Sequence, residues 1–290
     1  MSSKTKNNQK LGRTMIRIVI FVTVLISVLV ATEKKLPTIP EDSAVLATLG
    51  KNNNPYATIS SKTIKVFAWN IYKGRKDNWR NDFLKNSAGH DILLLQEAYL
   101  DPAMISVFEH DTPYRFDFAA SFLDYDGDNI FPTGVAIGSL ATPKEIAFLR
   151  SSGREPVIST PKMTILAKYD LAFSSKQLMV ATIHALNFVS TDKLEAQLTE
   201  VAQVLSTHKG PLIWAGDFNT WSMAKLIVLD KIMARLGMRT VFFNPDIRSR
   251  LSGNPLDHIY VRGFEVLSSS VIDAPDGSDH QALSATLRFR

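Results

Sequence analysis

The chain has 290 residues, 45% of them hydrophobic and 9% aromatic, enough to bury one sizeable core with an appendage. It has no cysteine, which excludes disulfide frameworks, thiolate metal sites and cysteine nucleophiles. The formal charge of +5 suggests a nucleic-acid partner only until it is located. Residues 1 to 35 hold seven of the 33 basic residues and one of the 28 acidic ones, leaving 26 against 27 downstream, so a near-neutral body gives no argument for DNA or RNA.

Ile18 to Ala31 is an uncharged run rich in Ile, Val and Leu whose only polar interruptions are Thr23 and Ser27, and Lys4, Lys6, Lys10, Arg13 and Arg17 lead into it. That is the layout of a signal anchor or a signal peptide. Extended back to Met15, with Arg17 snorkelling toward the headgroups, residues 15–31 make a minimal single-pass membrane crossing. Leu29 stands where a signal peptidase wants a small residue, which favours retention over cleavage and secretion. The positive-inside rule then puts the N-terminus in the cytoplasm and the body outside it. The rival is a polybasic surface anchor on a cytoplasmic protein, which protease accessibility in intact cells would separate.

Residues 36–62 mix Pro37, Pro40, Asn52 to Asn54 and Pro55 with few large apolar residues and read as a linker, with the folded domain spanning 63–290. Short apolar runs then predict strands at Ile64–Trp69, Ile92–Leu95, Gly134–Leu140, Met163–Lys168, Leu178–Ile183, Leu212–Ala215, Ile259–Val261 and Ala282–Phe289. A helix is predicted from an Asp192 cap, with Glu195 three residues on and Leu194, Leu198, Val201 and Leu205 along one face. A second is predicted over Ser222 to Leu236. Many strands with few helices indicate an α/β fold of packed mixed sheets with helices outside.

Polar residues interrupt the strand ends at Trp69-Asn70, Leu95-Gln96-Glu97, Ile183-His184, Gly216-Asp217-Phe218-Asn219, Leu256-Asp257-His258 and Ser278-Asp279-His280. Singly, each has an ordinary explanation: Asn70 as a turn cap, Asp217 and Asn219 as an Asx turn. Asp124, Asp126 and Asp128 alternate beside Gly127, but Val135 stands where a calcium loop needs Glu, so this is an acidic loop.

Taken in order, the strings WN, LLLQE, IHALN, AGDFN, LDHI and SDH resemble the motifs of the endonuclease/exonuclease/phosphatase (DNase I-like) superfamily over essentially all of the body. Within it, VFAWNIYKG, IHALNF, AGDFNTWS and PLDHIYVRG are most similar to the short bacterial YafD-like branch. The resemblance implies a four-layer α/β sandwich, two packed mixed sheets with outer helices, and a site along one edge of the sheets. It implies hydrolysis of a phosphodiester or phosphomonoester, in nucleic acid, a phospholipid headgroup or an inositol phosphate, with Mg²⁺ or Mn²⁺.

Under that resemblance Glu97 is the leading metal ligand, with Asn70 and Asp279 completing the shell, since a hard cation wants carboxylate and carbonyl oxygens. Asp217 orients or deprotonates the attacking water, and Asn219, two residues on, hydrogen-bonds a phosphate oxygen. His280 contacts the phosphate with Asp257 fixing its imidazole, and His184 is a second donor. Lys73 and Asn187 are assigned to the substrate, with Arg154 and Lys162 weaker candidates. His258 is read as structural or surface, and His90, His110 and His208 as incidental. The rival class is a catalytically silent, membrane-tethered binding module of the same fold.

Overall fold

The computed structural model describes residues 35–51, 53, 56–274 and 276–290, and its main compact unit runs from Pro37 to Arg290. The expected span at 15–31 lies outside the described residues, among which no helix is long and apolar enough to cross a membrane.

In chain order the elements are β1 (Leu46–Leu49), β2 (Thr63–Asn70), α1 (Trp79–Ser87), β3 (Ile92–Tyr99), α2 (Pro102–His110), β4 (Arg115–Asp126), β5 (Asn129–Ser139), β6 (Glu145–Arg150) and β7 (Met163–Leu171). There follow β8 (Ser174–His184), α3 (Thr191–Thr207), β9 (Leu212–Asp217), α4 (Met223–Arg235), β10 (Arg239–Thr240), β11 (Arg250–Leu251), β12 (Asn254–Pro255), β13 (Asp257–Arg262), β14 (Phe264–Ile272) and β15 (Ala282–Phe289). One sheet has the strand order β1-β4-β5-β3-β2-β15-β14 and the other β10-β13-β9-β8-β7-β6.

The strand period of two sorts side chains into layers. In β2, Ile64, Val66 and Ala68 enter the core between the sheets, where they meet Ile165, Val180, Ile213 and Ile259 of the second sheet. Their neighbours Phe67 and Trp69 face the other way, onto Trp79 and Phe83 of α1 and Met104 and Phe108 of α2. On the far side Ile183 and Trp214 pack under Leu194, Leu198 and Leu205 of α3 and Leu229 and Ile232 of α4. Two sheets packed face to face, with helices on both outer surfaces, form the four-layer DNase I-like sandwich.

Three expectations need correction. The α3 cap is Ser190, whose side chain accepts from the Lys193 N–H; Asp192 lies inside the first turn. Residues 36–62 do more than link: β1 pairs antiparallel with β4, and Val45, Leu49 and Ile59 are buried. A segment poor in apolar residues needs no core of its own when it covers the edge of an existing sheet. Finally, β4, β6, β14, the two-residue strands β10, β11 and β12, and the helix α1 were not anticipated. β6 and β14 are edge strands with mostly half-buried or exposed residues, so they lack the solid apolar runs of central strands.

The parallel neighbours are β2 with β3 and β8 with β9, and their C-terminal ends decide where the site lies. In register, Asn70 stands beside Gln96, and His184 and Asp257 both stand opposite Asp217.

Candidate active site

The backbone departs from regular strand geometry where it presents functional groups. β3 bulges between Gln96 and Ala98, and Glu97 at the bulge has φ 54°. Gln96 is thereby left in the core, its Nε2 donating to Thr182 Oγ1 at 2.7 Å, while Glu97 turns into the cleft. A non-glycine residue with positive φ costs of order 1–3 kcal/mol, held here by the ladders on both sides of β3. In β9, Gly216 has φ 139°, and a Cβ there would lie 2.1 Å from the Ile183 carbonyl oxygen. This close approach of β9 to β8 sets Asp217 beside His184.

Asn70 is almost fully buried and bridges the sheets: its Nδ2 donates to Glu97 Oε1 at 3.3 Å and to Asp217 Oδ2 at 3.2 Å, while its Oδ1 accepts from the Tyr72 N–H. Asp217 Oδ2 lies 3.6 Å from His184 Nε2 and 4.0 Å from His280 Nε2. Asp257 Oδ2 and His280 Nδ1 are 2.8 Å apart. The Asn219 N–H donates to Asp217 Oδ1 at 3.0 Å, and its side-chain amide donates to the Ala185 carbonyl at 2.9 Å. The cluster thus joins residues from β2, β3 and the β14–β15 loop of one sheet with residues from β8, β9 and β13 of the other.

Burial and charge divide the protonation states. Burial lowers His184 well below the usual imidazole value, and Lys162, His280 and Lys73 push the same way, so His184 is neutral. Burial would also lower His280, but the Asp257 charge and hydrogen bond, helped by Asp217, override it and raise the imidazole to about 10. Burial, reinforced by Asp257, raises Asp217, while His280, the Asn219 N–H and Asn70 pull it back. The balance favours the proton on His280 and leaves Asp217 with raised basicity, pushed up to about 7.

The remaining anticipated residues fall differently. Asp279 is exposed at the lip, one oxygen 3.4 Å from Ser278 Oγ; partial burial of its carboxyl and the Glu97 charge raise its pKa against the pull of His280. Lys73 is ion-paired to Asp124 at 2.7 Å and, with Arg75, Lys162, Phe122 and Ile158, lines a pocket of about 240 Å³ that opens beside Glu97 and His184. Asn187 is not brought into the cluster by any described contact; its Oδ1 accepts from the Phe188 N–H and its own N–H donates to Glu155. Arg154 is turned to the Ser159 carbonyl. His258 is buried and structural, bonded to Thr220 Oγ1 at 2.8 Å and Arg248 at 3.1 Å.

Two further residues went unassigned. Ser278 Oγ donates to the Asn70 carbonyl at 2.6 Å and accepts from the His280 N–H, and Trp69 Nε1 donates to the His280 carbonyl. Both fix the loop that carries His280, and both sit inside the strings SDH and WN. Their signal was present but pointed at their neighbours.

The donors suit a divalent cation. Glu97 offers a carboxylate beside Asn70, and Asp217, Asp257 and His280 form a neighbouring group whose ligand atoms all lie within 4.8 Å of one another, with Asp257 and His280 already bonded to each other. With its amide turned as it is, Asn70 presents N–H₂ to Glu97; a 180° turn would present its oxygen instead, at the cost of the Tyr72 contact. Carboxylate and amide oxygens are the donor chemistry that a hard divalent cation prefers.

A sandwich of two mixed sheets with an Asn-Glu-Asp-His constellation gathered at the C-terminal ends of the parallel strands and the loop beside them defines the DNase I-like class of fold and site. The pattern of the Endonuclease/Exonuclease/phosphatase family matches residues 67–280, and the chain belongs to that family. A protein of Vibrio campbellii named UPF0294 is 31% identical over 258 residues, covering 85% of this chain and 88% of its own. Among solved structures, the endonuclease/exonuclease/phosphatase of Beutenbergia cavernae superposes with TM-score 0.63 at 14% identity, covering 79% of this chain and 72% of that one. The human nocturnin catalytic domain, solved with a bound sulfate anion, gives TM-score 0.58 at 19% identity over 83% of this chain and 100% of that one. These structural likenesses establish the fold.

Proposed function

We propose that the protein is a divalent-metal-dependent phosphoesterase that hydrolyses a phosphate ester by direct attack of water. The observation that carries this reading is the placement of buried Asp217 Oδ2 4.0 Å from His280 Nε2, each side chain tied to its own partner. Asp217 takes a proton from the attacking water as oxygen bonds to phosphorus, and Asn219 holds the carboxylate through its backbone N–H. His280, oriented by Asp257, donates to a phosphoryl oxygen where negative charge accumulates, and neutral His184 offers a second donor beside it. One P–O ester bond breaks, the departing alcohol takes up a proton, and the phosphoryl group keeps the water oxygen. Glu97, with Asn70 and Asp279, would hold the Mg²⁺ or Mn²⁺ ion, which supplies Lewis-acid polarisation of the phosphoryl group.

The test is turnover of bis-p-nitrophenyl phosphate by the full chain with Mg²⁺, Mn²⁺ or EDTA. Metal-dependent turnover that falls roughly 10²-fold or more in Glu97→Ala and His280→Ala supports the reading. Folded protein with no turnover, or variants matching wild type, would favour the silent binding module.

We also read residues 15–31 as a membrane segment with the body on the extracytoplasmic side, supported by the basic leader and the uncharged run. Protection of the body from external protease in intact cells would overturn that topology.

A further inference from the structure

We propose that Ser249 is a positioning residue for the hydrolysis: its side chain clamps the turn that carries His280, in one sheet, to the segment that leads into Asp257, in the other, and so sets the pairing of the two. This rests on the phosphoesterase reading above.

Asp257 opens β13 in the second sheet, and His280 lies in the turn before β15 in the first. The contacts that seat this turn from its own side come from β2: Ser278 Oγ donates to the Asn70 carbonyl, and Trp69 Nε1 donates to the His280 carbonyl at 2.8 Å. They hold the turn against the first sheet but do not reach β13. The Asp257–His280 hydrogen bond at 2.8 Å spans that gap, and a drift of about 0.5 Å or more would weaken it.

Ser249 closes the gap from the other side. It lies between β10 and β13, and its Oγ accepts from the Gln281 N–H at 2.8 Å and donates to the Asp279 carbonyl at 3.4 Å, gripping the turn on both sides of His280. One hydroxyl can do both because it is donor and acceptor at once. Among the described residues these two bonds tie residues 278–281 to the second sheet's segment, apart from the Asp257–His280 pair itself. Ser249 is anchored in turn: its carbonyl accepts from the Leu256 N–H at 3.1 Å, and the Leu256 carbonyl accepts from the Phe218 N–H at 2.9 Å, next to Asp217. The preceding residue, Arg248, donates to the Asp257 carbonyl at 3.0 Å and is itself held by two bonds of 2.8 Å to Asp246. Two consecutive residues therefore hold the two partners, Arg248 the strand end with Asp257 and Ser249 the turn with His280. A pair fixed in this way needs no search for its geometry when the phosphoryl group develops charge.

The test is steady-state turnover of bis-p-nitrophenyl phosphate with Mg²⁺ or Mn²⁺ by the full chain, by Ser249→Ala, Ser249→Thr and Asp257→Asn, and by the double variant Ser249→Ala/Asp257→Asn. Ser249→Ala is expected to lower kcat about tenfold with KM within about twofold, and Ser249→Thr, which keeps the hydroxyl, to recover most of the loss. Because Ser249 acts through the pair, adding Ser249→Ala to Asp257→Asn should cost no more than about twofold further. An unchanged kcat in Ser249→Ala, or a tenfold loss that recurs in full on the Asp257→Asn background, overturns the assignment. Hydrogen exchange reads the clamp without turnover: the Gln281 amide should exchange about fivefold or more faster in Ser249→Ala than in wild type, while the buried amides of β9 keep their wild-type rates. Equal exchange at Gln281, or an acceleration that β9 shares, overturns the clamp whether or not any ester is cleaved. Faster exchange at Gln281 alone, in a protein whose wild type turns over no ester, counts instead against the phosphoesterase reading, and the role assigned to Ser249 falls with it.

Discussion

His258 and Asp257 are adjacent in β13, and the pleat sends them to opposite tasks. Asp257 reaches across to His280, so Asp257→Asn should leave the fold intact and lower kcat roughly 10²- to 10⁴-fold, measured on any ester the wild type turns over. His258 faces inward, where burial and then the Arg248 charge depress it from 6.5 to about 3. The unfolded chain takes up a proton as pH falls through 6.5, while the native chain refuses it until about 3, so stability declines across that window. At pH 5 the loss relative to pH 7 should be about 2 kcal/mol from this one group. Urea denaturation of His258→Gln against wild type at the two pH values checks it: an equal pH dependence in both proteins would show that His258 is not the titrating group.

At the scale of elements, the close approach of β8 and β9 gives a sharp prediction. Gly216→Ala forces a Cβ against the Ile183 carbonyl and an alanine into positive φ, and should cost roughly 2–4 kcal/mol and displace Asp217. Thermal melts and turnover read the two effects separately. Deleting residues 37–62 should leave β4 as an open edge and strip Val45, Leu49 and Ile59 from the core, giving aggregated protein by size-exclusion chromatography; a monodisperse folded product would restore the linker reading. Central strands such as β3 and β9 were legible because both faces are buried and their residues form unbroken apolar runs. β1 and β14 were not, since an edge strand is defined by what it covers. The identities of Asn70, Glu97, Asp217 and His280 were readable, but the aim of Glu97 was not, because a bulge is a relation between two strands. Asn187 shows the converse: its place in a string implied a role that its described contacts do not bear out.

At the scale of the molecule, the site straddles the two sheets, and the core between them holds the halves in registration. Asn70, Glu97 and His280 belong to one sheet; His184, Asp217 and Asp257 belong to the other. Mild denaturation that loosens sheet from sheet should therefore abolish turnover before secondary structure is lost, with inactivation preceding the far-ultraviolet circular dichroism transition in a urea series. β15 lies between β2 and β14 in the first sheet, although it follows every strand of the second. A ribosome making this chain lays down Asn70, Glu97, His184, Asp217 and Asp257 before it reaches His280. The proposed site is therefore incomplete until β15 slots between two strands that precede it in the chain.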